Sequence, residues 1–391
     1  MDLILWRHAE ALDMREVQDD LDRALTPKGE RQALRMAEWL NRHLPASTRV
    51  LVSPARYWPA AFVAMFGIPL MLAGNAVLLA VALWRRWHKN WAWVALLGLL
   101  SGYPFVHATV PRFWQGDVPA GTPTLKVLSY NTENFMAFTR HLEPRKANAK
   151  AMLGWFKREA PDLLVLQEVW QYPAVSEFMV LEQLPALGYP HYYWSGKAQM
   201  PDGAYGPGML IASRHELRNG ATLFRRKGSH NKILRVDMDW QGRTVRVINV
   251  HLQSIRLTYT DLSLRYDDKP FKTKPQRIVD KMRKAFIRRA AQVSVLLEAI
   301  RTSPHPVLIC GDFNDTPYSY TYWQLRRYLQ NSHEQAGSGL GTTYIGKIKR
   351  TLRIDHQFAD GRLRCHRLAV VDTMRRSAHL PLMGTYSWAR P

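Results

Sequence analysis

The sequence predicts an α/β domain over its last two thirds, preceded by an apolar helical hairpin and a truncated α/β segment at the N-terminus. Three observations predict this. Short apolar runs such as Val307-Leu308-Ile309-Cys310 stop abruptly at polar residues, as strands covered on both faces do. Stretches of helical character lie between them, as at about 145–159. Residues 58–84 and 91–111 carry no Asp, Glu, Lys or Arg, whereas the chain after 122 has the composition of a soluble domain.

Residues 1–57 open with Leu3-Ile4-Leu5-Trp6, a strand leading into Arg7-His8. Thr26 suits an N-cap with Pro27 at the first helical position, and the helix runs to about Leu44. A second strand, Val50-Leu51-Val52, ends at Ser53-Pro54-Ala55-Arg56. This segment resembles the start of the phosphohistidine phosphatases of the histidine phosphatase superfamily. The resemblance implies a nucleophile at His8 and phosphate-binding arginines at Arg7 and Arg56. It stops before the second catalytic histidine of that family, and about 55 residues is too little chain to close such a sheet. The expectation is a fragment joined to another protein.

The two uncharged runs each meet the roughly 20-residue requirement for crossing a bilayer core. Trp58, Trp84, Trp87, Trp91 and Trp93 cluster at their ends, where aromatic belts sit. We expect a transmembrane helical hairpin over 58–111 and a linker over 112–122. Arg85, Arg86 and Lys89 favour a cytoplasmic turn, which puts the C-terminal domain on the outer, periplasmic side of a bacterial inner membrane. Residues 1–57 hold as many acids as bases, so most of the net charge of +22 belongs to residues 123–391. That charge points to an anionic partner: nucleic acid, a phosphorylated substrate or an anionic membrane. Two cysteines, Cys310 and Cys365, leave neither a disulfide framework nor a zinc-site spacing.

Within 123–391, chemistry gathers where strands stop. Leu125 to Tyr130 leads to Asn131-Thr132-Glu133-Asn134, and Asp162 to Gln167 delivers Glu168. Val247 to Val250 leads to His251, Val307 to Gly311 to Asp312 and Asn314, and Leu352-Arg353-Ile354 to Asp355-His356; Ser377-Ala378-His379 comes last. Asp312 and Asn314, two apart on an extended chain, would point the same way. Such a pair could hold a divalent cation, orient a water or contact a phosphate. Packed in one sheet, these strands would share a rim.

The ordered set closely resembles the endonuclease/exonuclease/phosphatase superfamily over roughly 123–388. The resemblance implies a two-sheet αβ sandwich of the DNase I-like type. It implies Glu168 as principal metal ligand with Asn131 beside it, contacting metal or phosphate. It further implies that Asp312 orients the attacking water, Asn314 holds a phosphate oxygen and His251 contacts the phosphoryl group. His379 would act as acid/base or phosphate-stabilising residue, its tautomer set by Asp355. Hard oxygen ligands suit Mg²⁺ or Mn²⁺. One departure stands out: where the family commonly has an acid before the last histidine, this chain has Ala378. His356 replaces a common aromatic and reads as packing.

Between His251 and Asp312 runs a basic segment, Arg256 to Arg301, whose later part is amphipathic. It reads either as a solvated helix face or as a surface following a polyanion or anionic lipid. The expected function is a membrane-anchored, divalent-metal-dependent phosphoesterase acting on nucleic acid, phospholipid or inositol phosphate. The alternatives are a phosphohistidine phosphatase working through His8 and a catalytically weakened anion-binding membrane protein.

Overall fold

The structure is a computed structural model. It describes residues 58–84, 89–103 and, from 118 onward, all but 136–140, 197–204, 227–228, 259–260, 262–272, 347–351 and 390–391. Phe105, Ala108 and four residues of the first 57 are also described. Those four, Lys28, Arg31, Gln32 and Arg35, are helical, inside the helix expected from Thr26. Arg7, His8 and Arg56 lie outside the described residues, so the reading attached to them does too. The chain divides into two compact units between Tyr57 and Trp58.

Helix α1 (Trp58–Trp84) runs 27 residues, through Pro69 and without a charged side chain. Its Leu70, Val77, Leu83 and Trp84 are exposed. Helix α2 (Lys89–Ser101) has only 13 residues, so the second apolar run does not form the expected full-length span. A turn at Gly102 follows it, with Tyr103 helical again before Pro104. Beyond them the run is spent on packing instead. The Phe105 ring meets that of Trp323 at 4.9 Å, and Ala108 is fully buried beside Leu325 and Phe358. Among the described residues, one helix is long and apolar enough to cross a membrane.

The remaining elements are β1 (Leu125–Asn131), α3 (Leu142–Glu159), β2 (Leu163–Gln171), β3 (His191–Trp194), β4 (Tyr205–Ser213), β5 (Leu217–Arg225), β6 (Lys232–Trp240), β7 (Arg243–His251), α4 (Thr273–Arg301), β8 (Val307–Asp312), α5 (Tyr320–Arg326), β9 (Gln330–Asn331), β10 (Asp355–Ala359), β11 (Leu363–Val370) and β12 (Leu382–Trp388). They form two six-stranded sheets, ordered β11-β12-β1-β2-β4-β3 and β5-β6-β7-β8-β10-β9. Each sheet holds one parallel pair, β1 with β2 and β7 with β8. A parallel connection needs a crossover, and α3 and α4 supply the two.

The sheets face each other across an apolar core that includes Val127, Val165, Ile211, Val236, Val247, Leu308 and Cys310. On the outer face of the first sheet, Met152, Trp155 and Phe156 of α3 pack against Leu128 and Leu164. On the second, Leu296 of α4 and Tyr322 and Leu325 of α5 cover Ile248 and Ile309. Strands buried on both faces explain the unbroken apolar runs in the sequence. This is the α/β sandwich expected, with helices outside two mixed sheets.

The sheet-to-sheet geometry is fixed near the ends of the parallel pairs. Gln167 Nε2 donates to Asn249 Oδ1 at 2.8 Å, and Asn249 Nδ2 donates to the carbonyls of Leu166 and Leu210 at 2.9 and 3.0 Å. In β8, Gly311 has φ +143°, and a Cβ there would collide with the Val250 carbonyl of β7. Only glycine permits this approach, which sets Asp312 opposite both His251 and Asp355. Gly311→Ala is therefore expected to destabilise the domain by about 2 kcal/mol or more. Urea denaturation followed by tryptophan fluorescence measures it, and an unchanged midpoint would show that β7 and β8 can part without cost.

Candidate active site

Asp312 is the centre of the site. It closes β8, is 1% exposed, and still accepts bonds from three donors. Asn314 N donates to Oδ1 at 2.8 Å, while Asn314 Nδ2 and Asn131 Nδ2 donate to Oδ2 at 3.1 and 3.0 Å. His251 Nε2 and His379 Nε2 stand 3.5 and 3.7 Å from the same oxygen. Burial and the charge of Asp355 push the Asp312 carboxyl upward, against His379 and His251. Three converging N–H donors favour its charged form.

Asn314 reaches Asp312 by a route other than strand alternation. Its φ of +51° turns the chain back, and both amide hydrogens are engaged, one with Asp312 and one with the Leu252 carbonyl at 3.1 Å. In this structure Asn314 orients Asp312; a phosphate contact requires it to exchange a partner.

Glu168 was expected at the end of its strand and lies inside it. The register of β2 against β4 shifts between Leu166 and Val169, and Glu168 has φ +51°. A bulge thus turns the carboxylate out of the strand and into the site. Asn134 Nδ2 donates to Oε2 at 3.2 Å, and Asn131 Nδ2 lies 3.5 Å from Oε1. His230 Nδ1 and His251 Nε2 stand at 3.8 and 3.5 Å. Burial works against the charge on Glu168, but the His230, His251 and His379 imidazoles outweigh it and hold the carboxyl down at about 2.

Asp355 and His379 form the third part. Asp355 opens β10, an antiparallel strand, so it reaches the shared rim from a strand start. His379 precedes β12 and donates from Nδ1 to Asp355 Oδ2 at 2.9 Å and Oδ1 at 3.1 Å. This fixes the tautomer and leaves Nε2 toward Asp312. The Tyr344 ring packs edge-on against the imidazole with centroids 5.2 Å apart. Burial opposes the imidazolium, but Asp355 and Asp312 raise it to about 10.

All seven residues expected in the domain thus meet, drawn from both sheets. His230 and Asn134 join them unforeseen. Asn134 lay within the quoted motif without a role, and His230 sits in a Ser-His-Asn turn with no distinguishing spacing. His356 packs as expected: buried, edge-on to Phe313, with Nε2 against the Asp315 carbonyl at 3.0 Å and its pKa lowered to about 3 by burial.

Two arrangements could hold a cation. Asp312, Asp355 and His379 bring ligand atoms within 4.8 Å of one another. There His379 Nδ1 is engaged with Asp355, and Nε2 is the nitrogen that faces Asp312. Glu168 and Asn131 offer hard oxygens, and Asn134 Oδ1 beside them is buried without a hydrogen-bond partner.

Because folding raises His379 above its usual 6.5, the stability it contributes is full below about pH 6.5 and is lost as pH rises through about 10. Asp355→Asn removes the largest raising influence, so the His379 ring titration should move down by at least about one unit. NMR titration, assigned with His379→Gln, reads this directly. No movement would mean that Asp355 does not hold the imidazolium.

Comparison with known proteins agrees with the fold. A family model described as Endonuclease/Exonuclease/phosphatase family matches residues 128–379. A second, described as a domain of unknown function, matches 46–109. Solved structures of similar chains include an endonuclease/exonuclease/phosphatase from Beutenbergia cavernae, 21% identical with a TM-score of 0.49, covering 68% of this chain and 72% of that one. They also include the catalytic domain of human Nocturnin with bound sulfate, 19% identical with a TM-score of 0.47, covering 68% and 96%. The family model spans well over half of the sequence and every residue of the site from Asn131 to His379. The chain belongs to the endonuclease/exonuclease/phosphatase family, whose members are hydrolases acting on phosphoester bonds.

Proposed function

We propose that the chain is a membrane-anchored phosphoesterase that uses Mg²⁺ or Mn²⁺ to direct water onto a phosphodiester or phosphomonoester. One observation carries the catalytic part: Glu168, Asn131 and His379 on the side of the first sheet meet Asp312, His251 and Asp355 of the other, all within hydrogen-bonding or ion-pair range.

A divalent cation at Glu168 and Asn131 would neutralise charge on the phosphoryl oxygens. Asp312, fixed by Asn314 and Asn131, accepts a hydrogen bond from the attacking water and aligns it. His251 donates toward a phosphoryl oxygen. His379, held protonated by Asp355, donates from Nε2 to a phosphoryl or leaving oxygen. Cys310 and Cys365 are buried thiols whose pKa values burial pushes up, so neither supplies a thiolate nucleophile. Positioning and charge neutralisation do most of the work in such a displacement.

The basic segment contributes less free charge than its sequence suggests. Arg277 and Lys281 hold the buried Asp261 at 2.8 and 2.6 Å, and Arg289 is buried against Asp315 at 3.0 Å. Arg283 and Lys284 remain exposed on α4, available to a polyanionic substrate or anionic lipid.

Glu168→Ala should lower turnover of bis(p-nitrophenyl) phosphate by about 10²-fold or more, and chelator should abolish it until Mg²⁺ or Mn²⁺ returns. Full activity in Glu168→Ala would overturn this site. Plasmid DNA, sphingomyelin and inositol phosphates assayed side by side separate the substrate classes. The membrane part rests on α1, which at 27 residues reaches about 40 Å against a core of about 30 Å. The full chain should stay in the membrane fraction through alkaline carbonate and leave it with detergent; release by carbonate would refute the anchor. The periplasmic side depends on a second crossing, for which α2 at about 20 Å is short. Protease cleavage of the domain in intact spheroplasts would place it outside.

A further inference from the structure

The stretch that leaves the apolar helices is built into the catalytic domain. From Trp58 onward the chain forms one compact unit. Ala108 is fully buried in the core that α4 and α5 share with the second sheet, among Leu325, Leu329 and Phe358. The Phe105 ring lies 4.9 Å from that of Trp323 in α5 and 6.4 Å from that of Tyr318, in the turn that follows Asp315.

One polar contact carries this stretch toward the site. Arg353 is 5% exposed, and its Nη2 donates to the Ala108 carbonyl. Its Nε and Nη1 are buried without a hydrogen-bond partner, so the Ala108 carbonyl is the acceptor that holds the guanidinium in place. The residues after Arg353 lead directly into the site. The Ile354 carbonyl accepts from Phe313 N at 2.9 Å, and Phe313 stands between Asp312 and Asn314. Ile354 N and Asp355 N both donate to Thr343 Oγ1 at 3.1 Å. Asp355 then takes His379 Nδ1 at 2.9 Å. A continuous line of contacts thus runs from Ala108 through Arg353 to the Asp355–His379 pair.

We propose that Arg353 is a positioning residue: by gripping the Ala108 carbonyl, it makes the seating of the stretch after α2 a condition for Asp355 to hold His379. The domain is mounted on its apolar helices through a fixed joint, and turnover depends on residues buried away from any substrate. This rests on the phosphoesterase reading of the site, and the experiment separates the two.

Turnover of bis(p-nitrophenyl) phosphate with Mg²⁺ or Mn²⁺ is measured on the detergent-solubilised full chain for wild type, Arg353→Lys, Arg353→Met, Phe105→Ala and Leu97→Ala. Circular dichroism checks that each variant is folded. Leu97 is exposed on α2, and its variant is the control, expected within about twofold of wild type. We expect Arg353→Met and Phe105→Ala to lower kcat at least about tenfold while KM stays within about threefold, because a displaced Asp355–His379 pair loses interactions made in the transition state. Arg353→Lys keeps a cationic donor for a single carbonyl and should return kcat to within about threefold of wild type. Wild-type kcat in folded Arg353→Met and Phe105→Ala overturns the proposal, as does a loss that appears in KM alone or a lysine variant no better than methionine. Should Arg353→Met fail to fold, Phe105→Ala decides the question, since it leaves Arg353 in place. A wild-type chain with no turnover overturns the phosphoesterase reading, and the proposal with it.

Discussion

A single buried carboxylate organises the molecule. Asp312 lies at the end of a strand with almost no access to water, and an ion in that position is tolerable only if its surroundings solvate it. The fold does so by bringing donors from both sheets: Asn131 from the first, Asn314 from the adjoining turn, and the two imidazoles. Each donor is also a member of the site. The contacts that surround one buried carboxyl group thus also gather the candidate site. Behind the loop, Arg289 of α4 donates to the Gln253 carbonyl and pairs with Asp315, which ties the turns after β7 and β8 together.

Much of this was legible in the sequence, and the limits have physical causes. Apolar runs ending in Asn131, His251 and Asp312 are strands ending at one rim, because a doubly covered strand must be apolar until it leaves the core. The direction of approach was not legible. Asp355 comes from a strand start, since pairing with β8 is antiparallel, and linear order does not encode that. Glu168 projects through a bulge within β2, and a bulge depends on the register of the partner strand. His230 is supplied by a turn ahead of β6 and becomes part of the site only because β6 pairs with β7 along its whole length.

Charge and hydropathy are local patterns, and distant partners decide part of what they mean. Arg277, Lys281 and Arg289 look like one solvated basic face, yet each meets a buried acid whose distance along the chain hid the pairing. Likewise the apolar residues after Ser101 look like the rest of a span, yet Phe105 and Ala108 pack on the catalytic domain. The bond from Arg353 to the Ala108 carbonyl adds a polar tie there. In both cases a long-range partner changed the meaning of a local pattern.

The left-handed run from Glu133 to Phe135, with φ of 47°, 52° and 61°, bears on when the site comes into being. An isolated chain rarely strings three such residues together, because each is disfavoured by about 1–2 kcal/mol. What holds the run is the burial of Phe135, stacked on Phe178 with ring centroids 5.9 Å apart. The acidic corner is therefore assembled by aromatic packing on the far side of the first sheet. An unfinished chain presents these carboxylates scattered, and their close approach is a property of the completed fold alone. The placing of Asn134 against Glu168 is in that sense a gauge of how well the outer aromatic layer is packed.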